Sequence, residues 1–214
     1  HSELMVMWSA LQQERFLFRL LDKLKGRPLV EACPVKVALI SDVHGNVAAL
    51  RAVTQHARSR GATAFLNAGD SVGLPHPVDA VRLLLERDVL SVIGNIDRAV
   101  LRIASGKKVD DRQLEMSTEM LGKDELQWLA SLPDELRLDI CGRTVLVTHA
   151  SPGQEAEKLT LSTPENRMRH LADSSRADVI VTGHSHVPMV RESAGTIFVN
   201  PGSVGRPRDG PEAS

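Results

Sequence analysis

Seven residues of this 214-residue chain combine a metal-ligating side chain with a telling position: Asp42, His44, Asp70, Asn95, His149, His184 and His186. They stand in five short blocks, Ser41-Asp42-Val43-His44-Gly45-Asn46, Asn67-Ala68-Gly69-Asp70, Gly94-Asn95-Ile96-Asp97, Thr148-His149-Ala150-Ser151 and Thr182-Gly183-His184-Ser185-His186. Imidazole combined with carboxylate and amide oxygen suits borderline to hard divalent ions such as Mn, Fe, Co or Zn. Seven donors exceed one tetrahedral site and match two ions that share a carboxylate. Paired ions about 3.5–4 Å apart recur in phosphate ester hydrolysis, because they polarise phosphoryl oxygens, acidify a bridging water and neutralise the in-line transition state.

A single Asp-x-His or His-x-His carries little weight, and most isolated histidines are surface or core residues. His56 and His170 fall on predicted helices and read that way. His76, in the Leu74-Pro75-His76-Pro77 loop just after Asp70, is kept as a candidate for facing substrate.

The elements that must position these blocks are short apolar runs separated by helical spacing. Predicted strands cover Val35–Ile40, Ala64–Asn67, Val89–Ile93, Glu135–Ile140, Thr144–Val147, Asp178–Val181 and Thr196–Val199. Helices are expected over Val47–Arg58, from about Val78 to Glu86, and through Asp111–Ser131 before Pro133. Short buried strands alternating with helices predict an α/β fold, a four-layer α-β-β-α sandwich of mixed sheets. Each ligand block directly follows a strand, so the set collects at the carboxyl ends, where open α/β sheets bind ligands. Gly45, Gly69, Gly94 and Gly183 flank the blocks and permit close backbone approach.

Ahead of this domain, Leu4 to Lys25 shows the spacing of an amphipathic helix, ended by Gly26 and Pro28. The expected organisation is therefore a helical extension over residues 1–30 and a domain over 35–214, with the extension as a surface for homo-oligomer formation. A net charge of −1, no Tyr, four Phe and two Trp argue against polymeric nucleic acid as a partner. No membrane span is expected. Cys33 and Cys141 lack C-x-x-C spacing, so reduced thiols are expected. Gln12, Gln13, Glu14 and Arg15 interrupt the N-terminal apolar residues, so no secretory signal is read and a cytoplasmic location is expected.

From Val35 to about Gly210 the chain resembles the calcineurin-like metallophosphoesterase superfamily. The resemblance rests on D-x-H, G-D, G-N, H and G-H-x-H in that order. The Asn200-Pro201-Gly202-Ser203-Val204-Gly205 block, with the first ligand block, is similar to the small bacterial and archaeal phosphodiesterase-like branch. By that resemblance Asp42, His44 and His186 would hold one ion, Asn95, His149 and His184 the other, and Asp70 would bridge. It implies two divalent ions, Mn first, with Fe, Zn, Co or Ni as alternatives. It also implies attack on phosphorus by a metal-bridging hydroxide without a covalent intermediate, with Asp70, Asn95 and His149 in catalytic roles. Asn46, His76, Arg206 and Arg208 are the weaker candidates for substrate contact.

Ile96 departs from the family, which usually places His directly after the G-N pair to assist the leaving oxygen. General acid help is typically worth about 10²–10⁴-fold. Slow turnover and a preference for leaving groups that need little protonation are therefore expected. The functional expectation is a metal-dependent phosphodiesterase acting on a small phosphate ester, a nucleotide among the candidates. The alternative is a scaffold that keeps the fold with weak or no chemistry.

Overall fold

In a computed structural model, the residues described are 4–6 and 35–208. Among the described residues, nine strands and six helices form two sheets with helices outside them. The strands are β1 (Leu4–Val6), β2 (Val37–Ile40), β3 (Ala64–Asn67), β4 (Leu90–Ser91), β5 (Glu135–Ile140), β6 (Arg143–Thr148), β7 (Val179–Val181), β8 (Met189–Ser193) and β9 (Thr196–Asn200). The helices are α1 (Val47–Ser59), α2 (Pro77–Glu86), α3 (Asn95–Ala104), α4 (Arg112–Met120), α5 (Lys123–Ser131) and α6 (Glu165–Ser175). Strands β1 to β4 form one sheet in chain order, and all three of its pairings are parallel. The second sheet, ordered β5-β6-β7-β9-β8, is mixed: β6, β7 and β9 run parallel, with antiparallel strands at both edges.

The layering follows from period-2 alternation along the strands. On β2, Val37 and Leu39 join Val145, Val147, Val179, Val181 and Val199 of the other sheet in an inter-sheet core. Ala38 and Ile40 of the same strand point the opposite way, onto Leu50 and Ala57 of α1 and Leu83 and Leu84 of α2. Across the molecule Leu146, Ile180 and Phe198 pack on Met168, Leu171 and Ala172 of α6. Strands buried on both faces read as continuous apolar runs, and that is how these segments stand in the sequence. The sandwich is therefore helix, sheet, sheet, helix.

Several expectations shift. Leu4–Val6 is a strand paired with β2, so the predicted helix does not begin at Leu4. The rest of that segment, and with it the proposed oligomer surface, lies outside the described residues. The helical middle is two helices, because Leu121 takes an extended conformation and Gly122 caps α5. Helix α3 and strand β8 were not expected: α3 is short and starts inside the Gly94-Asn95 block, and β8 has only five residues, with no period-2 alternation of apolar and polar side chains. Cys141, in the β5–β6 turn, is disulfide-bonded, contrary to the expectation of reduced thiols. A pairing made by the fold needs no C-x-x-C spacing. Among the described residues no helix is long and apolar enough to cross a membrane.

Candidate metal centre

The carboxyl ends of β2, β3, β6 and β7 converge where the two sheets meet, and the loops leaving them are bonded to one another. Asp42 N–H donates to the Gly69 carbonyl at 3.0 Å, His44 N–H to Asp70 at 3.0 Å and Gly183 N–H to His149 at 2.9 Å. From the far side Val204 and Gly205 donate their N–H groups to the carbonyls of Ser41 and Asp42, each at 3.0 Å. Ser203 Oγ donates to the Asp42 carbonyl at 2.8 Å, and Asn200 Nδ2 to that of Gly183 at 2.6 Å. The Asn200–Gly205 block thus holds the first and last ligand loops together.

Five of the seven candidate ligands have left-handed backbones: Asp42, His44, Asp70, His184 and His186, with φ between 47° and 65°. Each such residue costs about 1–3 kcal/mol, and such strain concentrates at functional sites. Close packing enforces the arrangement. A Cβ on Gly183 would fall 1.9 Å from Ser41 Oγ and 2.7 Å from Asp42 Oδ2, and one on Gly94 would fall 2.1 Å from Asp70 Oδ1.

The side chains form two adjoining groups. In the first, His186 Nε2 lies 3.2 Å from Asp42 Oδ1 and 3.1 Å from His44 Nε2, with His44 Nε2 3.7 Å from Asp42 Oδ1. Asp42 Oδ2 is held by Ser41 Oγ at 2.6 Å and by the His184 N–H at 3.0 Å, while buried Oδ1 has no hydrogen bond. His186 Nδ1 donates to the Arg206 carbonyl at 2.9 Å, so its Nε2 presents a lone pair to Asp42 and His44. A proton on His44 Nε2 would reconcile one of these contacts and leave Asp42 Oδ1 uncompensated. A cation reconciles all three, so the donor set fits a divalent ion.

In the second group, Asp70 Oδ2 lies 3.4 Å from His149 Nε2 and 3.8 Å from His44 Nε2, between the two sides. Asn95 Oδ1 is 2.9 Å from His149 Nε2, and the rings of His149 and His184 lie 5.0 Å apart. His149 Nδ1 donates to the Ala68 carbonyl at 2.7 Å, which aims Nε2 at the site. Asp42, His44 and His186, and Asp42, Asp70 and His149, each bring ligand atoms within 4.8 Å of one another.

Burial pushes the His44 imidazolium down to about 4, against the pull of Asp70 and Asp42, so His44 is neutral near pH 7, as a ligand must be. Burial also lowers His184, helped by the charge of His149. Asp70 and His149 behave differently. Burial opposes charge on both, yet the hydrogen bond and charge between them prevail, holding Asp70 below the usual carboxylate range and raising His149 to about 9. Asp70 Oδ1 also accepts the Ile96 N–H at 2.8 Å, at the positive end of α3.

In the sequence Asp97 stands only as the last residue of the Gly94-Asn95-Ile96-Asp97 block. It is fully buried and accepts N–H bonds from Ser71 at 2.9 Å, Val72 at 3.1 Å and Gly94 at 2.9 Å. It therefore ties the Asp70 loop to the Asn95 loop; burial, and then the charge of Asp70, raise its carboxyl to about 6. Its place at the third position of a helix behind a glycine cap was the legible signal.

The weaker candidates divide. Asn46 caps α1, its Oδ1 accepting the Ala49 N–H at 3.1 Å, so its side chain is committed to the helix. His76 is exposed at the N-cap of α2 without a side-chain cap bond. Arg206 and Arg208 are exposed beside His186 and touch it through backbone. Ile96 packs on the cluster of Val72, Val100 and Leu129 and presents no proton. A cleft of about 600 Å³ opens beside Asn95 and His149, lined also by Arg98, Asp134, Glu135 and Glu155.

The chain and its fold have counterparts among known proteins. Residues 35–214 match the calcineurin-like phosphoesterase superfamily domain, and the chain belongs to that family. An uncharacterized protein of Methanocaldococcus jannaschii is 32% identical over 194 residues, covering 81% of this chain and 78% of its own. The crystal structure of a metallophosphoesterase from Sphaerobacter thermophilus is similar at 28% identity and a TM-score of 0.67, over 82% of this chain and 79% of that one. A hypothetical protein from Pyrococcus horikoshii shares the fold at 19% identity and a TM-score of 0.69, over 78% and 76%.

Proposed function

We propose that the protein is a metal-dependent phosphodiesterase that hydrolyses a small phosphate ester, with Mn²⁺ as the first candidate ion. One observation carries this reading: Asp42 Oδ1, His44 Nε2 and His186 Nε2 face one another in a buried pocket, with Asp42 Oδ1 lacking any hydrogen bond and Asp70 and His149 adjoining. Bound divalent ions would supply Lewis-acid polarisation of the phosphoryl group and an activated water near neutral pH. Asp42, His44 and His186 would hold one ion and Asn95, His149 and His184 the other, with Asp70 between. The Ala68 and Arg206 carbonyls hold the Nδ1 protons of His149 and His186, so each ring would ligate through Nε2, on His149 with loss of the proton that Asp70 favours. The hydrogen bond and charge of His149 favour the ionised form of Asp70, and the Ile96 N–H at the α3 N-terminus adds to it.

Ile96 supplies no proton to a departing alkoxide, so esters with acidic leaving groups should react fastest. The neighbouring cleft has room for one small organic group, and the near-neutral chain lacks the global basic charge that polymer binding uses. The test is hydrolysis of bis-p-nitrophenyl phosphate beside p-nitrophenyl phosphate, in chelator-stripped protein with and without Mn²⁺. Restoration by Mn²⁺, with the diester cut faster, is expected. If neither ester is cut while metal is bound, the phosphodiesterase reading falls and a scaffold with the same fold replaces it.

A further inference from the structure

His149 and His186 are held through Nδ1 by the buried Ala68 carbonyl and by the Arg206 carbonyl. His184 is held through its other nitrogen, by an exposed loop. Its Nε2 donates to the Ala156 carbonyl at 3.2 Å, which leaves Nδ1 as its only available donor atom toward the His149 side. Ala156 lies between β6 and α6 in an exposed stretch with no regular structure. Such a segment is mobile unless tied down, and a carbonyl that moves cannot fix a ring.

The tie is one residue further on. Arg167 of α6 donates through Nε to Glu157 Oε1 at 2.9 Å and through Nη2 to Oε2 at 2.6 Å, a bidentate fork. The same Nη2 reaches Ser151 Oγ at 3.3 Å, and the Ser151 N–H donates to the Glu157 carbonyl at 3.0 Å. Three points therefore converge on Glu157, adjacent to Ala156. Lys cannot reproduce the planar fork.

We propose that Arg167 is a positioning residue: by clamping Glu157 it holds the Ala156 carbonyl on His184 Nε2, so that Nδ1 faces the Asn95–His149 half of the centre. The inference rests on the dinuclear reading above. Arg167 touches neither substrate nor ion; it acts through two intermediates and on one half of the site only. Outer partners of metal-bound histidines typically change metal affinity about 10–100-fold when removed. The Arg167→Gln variant should bind its weaker Mn²⁺ about ten-fold less tightly, with the tighter ion unchanged. Arg167→Lys should recover little of this, because it keeps charge and loses the fork.

The experiment is Mn²⁺ titration of chelator-stripped wild type, Arg167→Gln, Arg167→Lys and the swapped Glu157→Arg/Arg167→Glu pair. It is read by ion stoichiometry, with urea unfolding alongside and ¹⁵N NMR of the histidine tautomers. Selective weakening of one ion, loss of the His184 Nε2–H signal and recovery in the swapped pair are expected. Two ions bound with wild-type affinity by Arg167→Gln, or equal weakening of both, would overturn the proposal while leaving the dinuclear reading intact. Fewer than two ions in the wild type would overturn both.

Discussion

Around Asp42, His44 and His186 the donors are almost fully buried, and their loops are locked by left-handed backbones and by the Asn200–Gly205 block. Around Asn95, His149 and His184 the construction is looser. Asn95 sits at a helix start beside an open cleft, and His184 is half-exposed and leans on a surface loop. One half is preorganised by the main chain of both sheets; the other is less enclosed and borders the open cleft. Asp70 belongs to both, 3.8 Å from His44 and 3.4 Å from His149. On the proposed function, rigidity is concentrated where an ion would be held and openness where an ester would enter.

The comparison is broken most severely at the shared residue. Asp70→Ala should lower ester hydrolysis by about 10³-fold or more, since several kcal/mol of charge stabilisation go with the bridge. Steady-state assays at saturating Mn²⁺ read this. On the buried side, Gly183→Ala drives a methyl into Ser41 and Asp42. A destabilisation of about 1–3 kcal/mol is expected, read as a lower urea midpoint together with loss of the tighter ion. On the open side, Ile96→His should speed esters with poor leaving groups relative to p-nitrophenyl esters, by up to about 10²-fold. An unchanged ratio across a leaving-group series would show that residue 96 does not face the departing oxygen.

The smallest effect concerns the surface clamp. The hydrogen bonds from Arg167 hold the Glu157 carboxyl at about 2, below its ordinary 4.5. A depressed carboxyl contributes stability that is present above the unfolded value and is lost as pH falls toward the folded one. The stability advantage of wild type over Glu157→Gln should therefore be constant above about pH 4.5 and shrink below it, as thermal melts from pH 7 to 3.5 would show.

Much of the site was legible because the sequence places chemistry directly after short apolar runs. Ala64–Asn67 and Glu135–Ile140 were bounded as found, and Asp42, Asp70 and His149 stand where strand ends deliver them. What stayed hidden depended on contacts distant in sequence. Asp97 is 26 residues from Ser71, and its bonds from the Ser71 and Val72 N–H groups exist only once two loops meet. The left-handed backbones of His44 and His186 are imposed by neighbouring loops and leave no trace in composition. Asn46 looked like a substrate contact because it adjoins the first block, yet the first turn of α1 claims its side chain. Leu4–Val6 carried helical spacing, but an open edge of β2 accepts it as a strand.

The central claim, two ions sharing Asp70, is tested most directly by electron paramagnetic resonance of chelator-stripped protein titrated with Mn²⁺. The account predicts an exchange-coupled dinuclear signal that grows between one and two equivalents and disappears in Asp70→Ala. An isolated mononuclear spectrum that saturates at one equivalent would contradict it.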